Sequence, residues 1–524
     1  MNKLLNRRDF VKAMGLGTAS LVIPGCTRAQ TPKGKRPNIL FIMSDDHAAQ
    51  AISAYGGFLS DVAKTPNIDR IAKEGMLFEN CFCTNSICTP SRAVILTGKY
   101  SHKNGVLTLG DEFDGTQQTF PKLLQKAGYY TAVVGKWHLK TEPAGFDYYN
   151  VLPGQGLYFD PVLKEKGKPW REHEDGGEVY KGYVTDVITD IALDILKNRP
   201  KDKPFCLLYQ HKAPHDMWEY DDKHAHLFED VDVPEPDNLF DDYQNRGQAI
   251  KRCTQKIGMS ETLFLHETQG DQFDGLGEKL KNLPPKERKR KSYQYFIKAF
   301  LRCVASIDDN VGRVLDYLDK SGLAENTIVI YTADQGFYLG EHGMFDKRFM
   351  YEESLRMPFV VRYPKEISPG SVSKDIIVNV DFAETFLDYA GVAIPKDMQG
   401  RSLRPLFNGK RPKDWRSSMY YRYWMHLPHF RVAGHYGVRT KRHKLIFYYG
   451  LPLGASGARR RTTPPEWELF DLEKDPREMN NVYNNPAYAK VVKELKAELL
   501  RLKEELGDTD ERYPELMKVR RKYW

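Results

Sequence analysis

The chain has 524 residues, 41% hydrophobic and 28% charged. That is room for a large core and a second subdomain, and it excludes the disordered and collagen-like classes. The net charge of +8 does not signal a nucleic-acid partner: Lys3, Arg7, Arg8, Lys12 and Arg28, against Asp9, place half of it in the first 30 residues. The run 286–291 (KERKRK) reads as a solvated helix face.

Residues 1–30 read as an address. Arg7 and Arg8, then Phe10 and Lys12, precede a short apolar segment, 13–23, with signal-peptide rather than membrane-span proportions. The arginine pair resembles a twin-arginine export signal, which implies a bacterial protein that folds before the twin-arginine machinery carries it to the periplasm or cell surface. Residues 23–26 (IPGC) resemble a lipoprotein cleavage box, with Pro24 unusual there, so a lipid anchor at Cys26 is one reading. No later segment is apolar enough to span a membrane.

From 37 onward, short apolar runs alternate with amphipathic stretches. Residues 38–43 (NILFIM) predict a buried strand, and Thr65-Pro66 starts a helix that Gly75 stops. Further central strands are expected at 130–134, 205–209 and 327–332, with helices over 184–196 and 296–318 between them. This alternation predicts an α/β fold with a largely parallel sheet covered by helices on both faces. The segment 216–290 is polar and irregular and reads as an insertion. After Trp415 the texture turns aromatic and β-rich (HYGVRTKRHKLIFYY, WELFDL) and ends in a charged helix over 489–507. The division expected is a catalytic domain over 37–415 and a smaller C-terminal subdomain with an antiparallel sheet over 416–524. The seven cysteines form no CxxC pair or zinc-like cluster.

Polar clusters follow the predicted strands, where open α/β sheets place their working residues. The first strand is followed by Asp45 and Asp46, the 130–134 strand by Lys136 and His138, the 205–209 strand by His215, and the 327–332 strand by Asp334 and Gln335. Each alone has a bland explanation as a helix cap or loop residue. Together, three carboxylates and an amide oxygen are hard ligands suited to calcium or magnesium. The lysine, the histidines and Arg92 beside them would suit a tetrahedral oxyanion, sulfate or phosphate.

The segment 88–100 (CTPSRAVILTGKY) resembles the signature of the type I, formylglycine-dependent sulfatases, C-x-P-S-R followed by L-T-G. The family's other motifs stand in the same order: PNILFIMSDD, VGKWHL, APH and ADQGFYLGEHGMFDKRFMYEES. The resemblance implies an alkaline-phosphatase-like fold and one calcium ion on Asp45, Asp46, Asp334, Gln335 and residue 88. Gln335 departs from the Asn or His of many relatives but keeps a ligating oxygen. It further implies that a separate maturation enzyme oxidises Cys88 to Cα-formylglycine, in the cytoplasm before export. The hydrated aldehyde attacks sulfur, and its second hydroxyl lets sulfate leave as the aldehyde reforms. Lys136, His215 and Lys347 are expected on the sulfate, with His215 as the acid, and His138 and Arg92 close to residue 88.

For the substrate, 151–161 (VLPGQGLYFDP), APHDMWEY and the aromatic segment 429–449 resemble the bacterial branch acting on 6-O-sulfated N-acetylglucosamine of glycosaminoglycans and mucins. His429, His435 and Arg439 are the expected solvent-facing sugar contacts, and the aromatics of 421–439 are either stacking faces or the core of the C-terminal sheet. Alternatives on the same residues are a sulfatase for another sulfated sugar, a phosphatase or phosphodiesterase of the same fold, and a non-catalytic lipoprotein that binds sulfated glycans.

Overall fold

In the computed structural model the residues described are 36–170, 177–258 and 280–524. The export segment with Arg7, Arg8 and Cys26 lies outside them, as do 259–279 of the polar insertion. Four strands form the centre of the sheet: β1 (Asn38–Ser44), β2 (Tyr130–Lys136), β3 (Phe205–His211) and β4 (Thr327–Ala333). They lie in the order β4-β1-β3-β2, all parallel. Each runs one or two residues past its apolar stretch, because ladder hydrogen bonds rather than side-chain polarity decide where a strand ends. Those extra residues carry the chain to the polar clusters.

The sheet has ten strands in all. Phe359–Arg362 extends it antiparallel beside β4, and Tyr148–Leu152 extends it parallel beside β2. Helices α1 (Pro66–Lys73), α2 (Cys88–Thr97), α3 (Val184–Asn198) and α4 (Pro285–Lys320) cover it. Alternate residues of β1 serve the two faces. Ile39, Phe41 and Met43 pack with Ala93, Val94 and Ile95 of α2 and with Phe382 and Phe386. Leu40 and Ile42 pack with Ile68, Ile188, Phe300 and Val304 from α1, α3 and α4. Each such side chain stabilises the fold by roughly 1.5–3 kcal/mol through burial. α4 starts eleven residues before its expected position, because its first turns are the charged run 286–291, where no apolar stripe marks the helix.

The C-terminal sheet is an antiparallel meander of β5 (Ser418–Tyr423), β6 (His435–Thr440), β7 (His443–Tyr448) and β8 (Glu466–Asp471). Helix α5 (Ala489–Leu506) follows, capped by Gly507 at φ 74°, and a further helix, α6 (Pro514–Tyr523), comes after the one expected last. Residues 36–524 form one compact unit. The six described cysteines are all free and buried. Among the described residues no helix is long and apolar enough to cross a membrane.

Candidate active site

Helix α2 answers why Cys88, Pro90, Arg92 and Gly98 come in that order. Cys88 is its first residue and Pro90 lies within the first turn, where a missing N–H costs nothing. The helix N-terminus therefore points its free N–H groups and positive dipole end towards residue 88. Arg92, one turn on, shares the face of Cys88. All ten helix residues are buried. Gly98 closes the helix at φ 63°, and a Cβ there would stand 2.9 Å from the Glu384 carboxylate, so only glycine fits both the turn and the space.

The strand ends bring the other residues to Cys88. Its Sγ lies 3.6 Å from Asp45 Oδ1. Arg92 donates to Asp334 Oδ2 at 3.0 Å, to Asp45 Oδ2 at 3.3 Å, to the Lys136 carbonyl at 2.6 Å and to Gln210 at 3.1 Å. It thus ties four of the strand ends together. Lys136, with no exposed surface, forms an ion pair with Asp45 and donates to Gln155. Lys347 donates to both oxygens of Asp46 at 2.5 Å, and His215 Nε2 lies 3.8 Å from Asp46 Oδ2. The other ring nitrogen of His215 is held by Asp216.

The carboxylates of Asp45, Asp46 and Asp334 each offer an oxygen within 4.8 Å of the others. Burial raises the pKa of Asp46, and burial followed by the charge of Asp45 raises that of Asp334 to about 6. Burial acts the same way on Asp45, but Lys136, His215 and Arg92 outweigh it and hold that carboxyl well below its ordinary range. Gln335 donates its amide nitrogen to Asp46 Oδ1, while its Oε1 is buried without a partner. A buried oxygen with no donor, beside three carboxylates, fits a hard cation such as calcium. Asp45, Asp46, Asp334 and Gln335 Oε1 are the atoms that would hold it.

His138 Nδ1 is also buried and unpartnered, and burial, then Lys136, holds the imidazole far below its ordinary pKa. It is therefore neutral, and its unpartnered nitrogen accepts a proton only against that shift. Burial pushes the Cys88 thiol in the opposite direction, with Asp45 adding to the rise. An unmodified Cys88 is thus a protonated thiol, a poor nucleophile.

Cys88, Asp46, His215 and Lys347 line the floor of a cleft of about 380 Å³. Gln155, Lys212, Asp216, Trp218, Phe337, Asp346, Arg348, His429 and Phe430 form its walls and mouth. Of the expected sugar contacts, His429 is there and two are not. His435 is 0% exposed, packed among Phe349, Tyr421, Tyr423 and Tyr448, with Nδ1 beside the Ala433 carbonyl at 2.8 Å. Arg439 is 5% exposed and paired with Glu352 at 3.1 Å, lining a different recess. Both faces of the C-terminal sheet are covered, so alternation along β6 does not separate core from solvent. The aromatics of β5 belong to the core likewise: Tyr420, Tyr421 and Tyr423 are buried. Tyr421 works from beneath, accepting from the Ser86 amide at 3.1 Å and donating to the Arg348 carbonyl at 2.6 Å.

Asp346 and Arg348, 6% and 5% exposed, are the buried cleft-lining residues that sequence reasoning missed. Arg348 Nε donates to Asp346 Oδ2 at 2.8 Å, and both residues have positive φ, 70° and 92°. An acid and a guanidinium fixed side by side over the floor form a donor–acceptor pair suited to vicinal hydroxyls. The signal lay in DKR of the last quoted motif, from which only Lys347 was taken.

Comparison with known proteins agrees with this geometry. Residues 37–392 match the family model described as Sulfatase, and 340–505 match that of the N-sulphoglucosamine sulphohydrolase C-terminal region. The chain is 45% identical to an N-acetylglucosamine-6-O-sulfatase of Bacteroides thetaiotaomicron, over 94% of this chain and 91% of that one. It is 29% identical to the human N-acetylglucosamine-6-sulfatase over 74% of this chain and 67% of that one. A solved structure of a protein in complex with its substrate, D-glucosamine-2-N,6-O-disulfate, superposes with a TM-score of 0.81 at 44% identity. It covers 91% of this chain and 99% of its own.

Proposed function

The chain belongs to the sulfatase family and is a sulfuric ester hydrolase, and from that premise we propose that it removes the 6-O-sulfate of N-acetylglucosamine in glycosaminoglycan or mucin-type glycans. The near-full-length identity to an N-acetylglucosamine-6-O-sulfatase carries the reading. The cleft supports it: charged groups around Cys88, and in the same cleft Asp346, Arg348 and the exposed His429.

Formylglycine made from Cys88 supplies, once hydrated, the attacking oxygen. Calcium on Asp45, Asp46, Asp334 and Gln335 supplies positive charge against the sulfuryl oxygens. The chain's own residues do the rest. Lys136 and Lys347 balance the carboxylates and add positive charge around the sulfuryl group. His215, fixed through its other nitrogen by Asp216, presents Nε2 to the cleft and gives its proton to the departing sugar oxygen. Neutral His138 takes the proton released as sulfate leaves. Arg92 holds Asp45 and Asp334 in place beside residue 88. Export through the twin-arginine signal at Arg7 and Arg8 places this chemistry in the periplasm or at the cell surface, after cytoplasmic maturation of Cys88.

Substrate choice is expected to follow from the reach of the ester-bearing arm. A primary 6-sulfate sits on a flexible exocyclic arm that reaches down to residue 88 while the ring stays at the mouth. Moving the ester to a ring carbon turns the sugar and breaks the contacts with Asp346, Arg348 and His429. One or two polar contacts of roughly 1–3 kcal/mol each correspond to one to a few orders of magnitude. The 6-sulfated sugar is therefore expected to exceed its 3-sulfated isomer in kcat/KM by at least about tenfold. Equal rates, or a preference for sulfated galactose or a uronic acid, defeat the substrate assignment and leave the sulfatase standing.

The Asp346–Arg348 pair can be tested separately. Asp346→Asn and Arg348→Ala are each expected to lower kcat/KM on the sugar sulfate about 10–100-fold. Activity on a small aryl sulfate, which has no ring hydroxyls to grip, should change far less. Parallel losses on both esters would assign the pair to the sulfate end of the cleft.

A further inference from the structure

Behind the mouth lies a second recess of about 500 Å³, lined by Arg252, Arg431, Arg459, Arg461, Thr463 and Glu466, among others. A single strap divides the two cavities. His429 and Phe430 face the catalytic cleft, while Leu427 and Arg431 face the recess. The four arginines are exposed, as is the adjacent Arg460. Among the described residues none of the five is paired with a carboxylate. Glu466, the acid in the recess, is already committed. Its two oxygens accept the Gln248 amide at 2.6 Å and the Ala249 amide at 2.5 Å, at the start of the short helix Gln248–Arg252.

Four guanidiniums line the recess against one carboxylate, with Arg460 adjacent, so the concavity keeps a positive excess next to the active site. The cations are all arginine, the residue whose planar fork binds sulfate and carboxylate oxygens in pairs. The recess also lies within electrostatic reach of the mouth. The His429 imidazole is held below its ordinary pKa first by burial and then by Arg348, with Lys347 and Arg459 adding to the effect. A glycan that enters the cleft and continues over the strap would bring its neighbouring sugars to the arginines.

We propose that this recess is an anion subsite for oxyanions, sulfate or carboxylate, carried by sugars adjacent to the one being desulfated, so that the enzyme prefers charged oligosaccharides to single sugars. The inference rests on the glycan sulfatase reading above.

The test is a triple variant, Arg252→Gln, Arg431→Gln and Arg461→Gln. Arg459 is left in place because its guanidinium contacts the Pro428 carbonyl at 3.5 Å and so supports the strap. Wild-type protein is expected to hydrolyse a 6-sulfated tetrasaccharide bearing further sulfates and uronates at least about tenfold better, in kcat/KM, than the 6-sulfated monosaccharide. The advantage should shrink as salt is raised. The variant should lose that advantage and its salt dependence, while its rate on the monosaccharide stays within about twofold of wild type. Binding by calorimetry supplies a second readout that needs no turnover. The sulfated tetrasaccharide, the same chain with uronates only, and a neutral chain of equal length are titrated into wild type and variant. Tighter binding of either charged chain to wild type supports the subsite and tells which oxyanion it favours. Equal binding of the neutral chain, or no difference between wild type and variant, overturns it. Failure to hydrolyse the monosaccharide sinks the proposed function, and the binding comparison still decides the subsite.

Discussion

Cys88→Ala protein is expected to fold and to hydrolyse no sulfate ester, with kcat reduced roughly 10⁴-fold or more, the scale on which removal of an enzyme nucleophile acts. Residue 88 is the first residue of a fully buried helix, packed against Asp45 and presented to the floor of the cleft. Alanine preserves the helix and lacks only the small terminal group of residue 88, sulfur before maturation and oxygen after it, so the stability cost is about 1 kcal/mol or less. Melting temperature and turnover measured on the same preparation separate the two effects. Full turnover by a folded Cys88→Ala protein would end the mechanism. The complementary measurement is a peptide mass spectrum across residues 87–92, because conversion to formylglycine removes the sulfur. A wild-type protein that is active with an unconverted Cys88 would overturn the maturation reading just as firmly. Cys88→Ser should match the alanine variant, except in a host whose maturation enzyme accepts serine.

The depth of the site in the sequence differs from residue to residue, for physical reasons. The four central strands were legible because parallel strands covered on both faces are continuous apolar runs, and NILFIM leaves no other reading. Asp45, Lys136, His215 and Asp334 were legible because strand ends are where such folds place polar side chains, and the structure gathers them beside residue 88, His215 lining the cleft and the other three in the buried network of Arg92. Gly98 is explained by its left-handed φ and the nearby Glu384 carboxylate. His435 and Arg439 were misplaced because β6 is buried on both sides. They were chosen for residue type, which does not tell a sugar contact from a paired or packed core group. Asp346 and Arg348 sit in a loop at positive φ, where neither helical nor strand periodicity applies. The arginines of the second recess come from three separated segments, around 252, 431 and 459–461, and only the fold makes them one charge cluster. The first turns of α4 were missed because a solvated charged face has no apolar stripe to register.

Removing calcium is the second change with a large expected effect, and the structure sets how activity and stability divide it. Asp45, Asp46 and Asp334 lie close enough that, taken alone, their negative charges would repel one another without the ion. The chain supplies compensation of its own. Arg92 bridges Asp45 and Asp334, Lys136 pairs with Asp45, and Lys347 holds both oxygens of Asp46. The metal-free fold is therefore expected to survive. The remaining deficit is visible in the raised pKa values of Asp46 and Asp334 and in the unpartnered Gln335 oxygen. A ligand that binds only the folded state adds RT ln(1 + [L]/Kd), about 2.7 kcal/mol at a hundredfold excess over Kd. Chelation should thus lower the melting temperature by several degrees, and restored calcium should recover it in a concentration-dependent way. Activity should fall much further, to background, because the three cationic side chains are already occupied by the carboxylates. Without the ion, less positive charge is left to meet the sulfuryl oxygens. Asp334→Asn offers the same test within the chain: it removes one negative ligand and the Arg92 ion pair, so calcium should raise its melting temperature less than it raises that of wild type. If chelation changes neither melting temperature nor turnover, the assignment of Asp45, Asp46, Asp334 and Gln335 as metal ligands fails. If it abolishes turnover while the melting temperature stays put, the ion is catalytic and Arg92, Lys136 and Lys347 alone hold the carboxylates together.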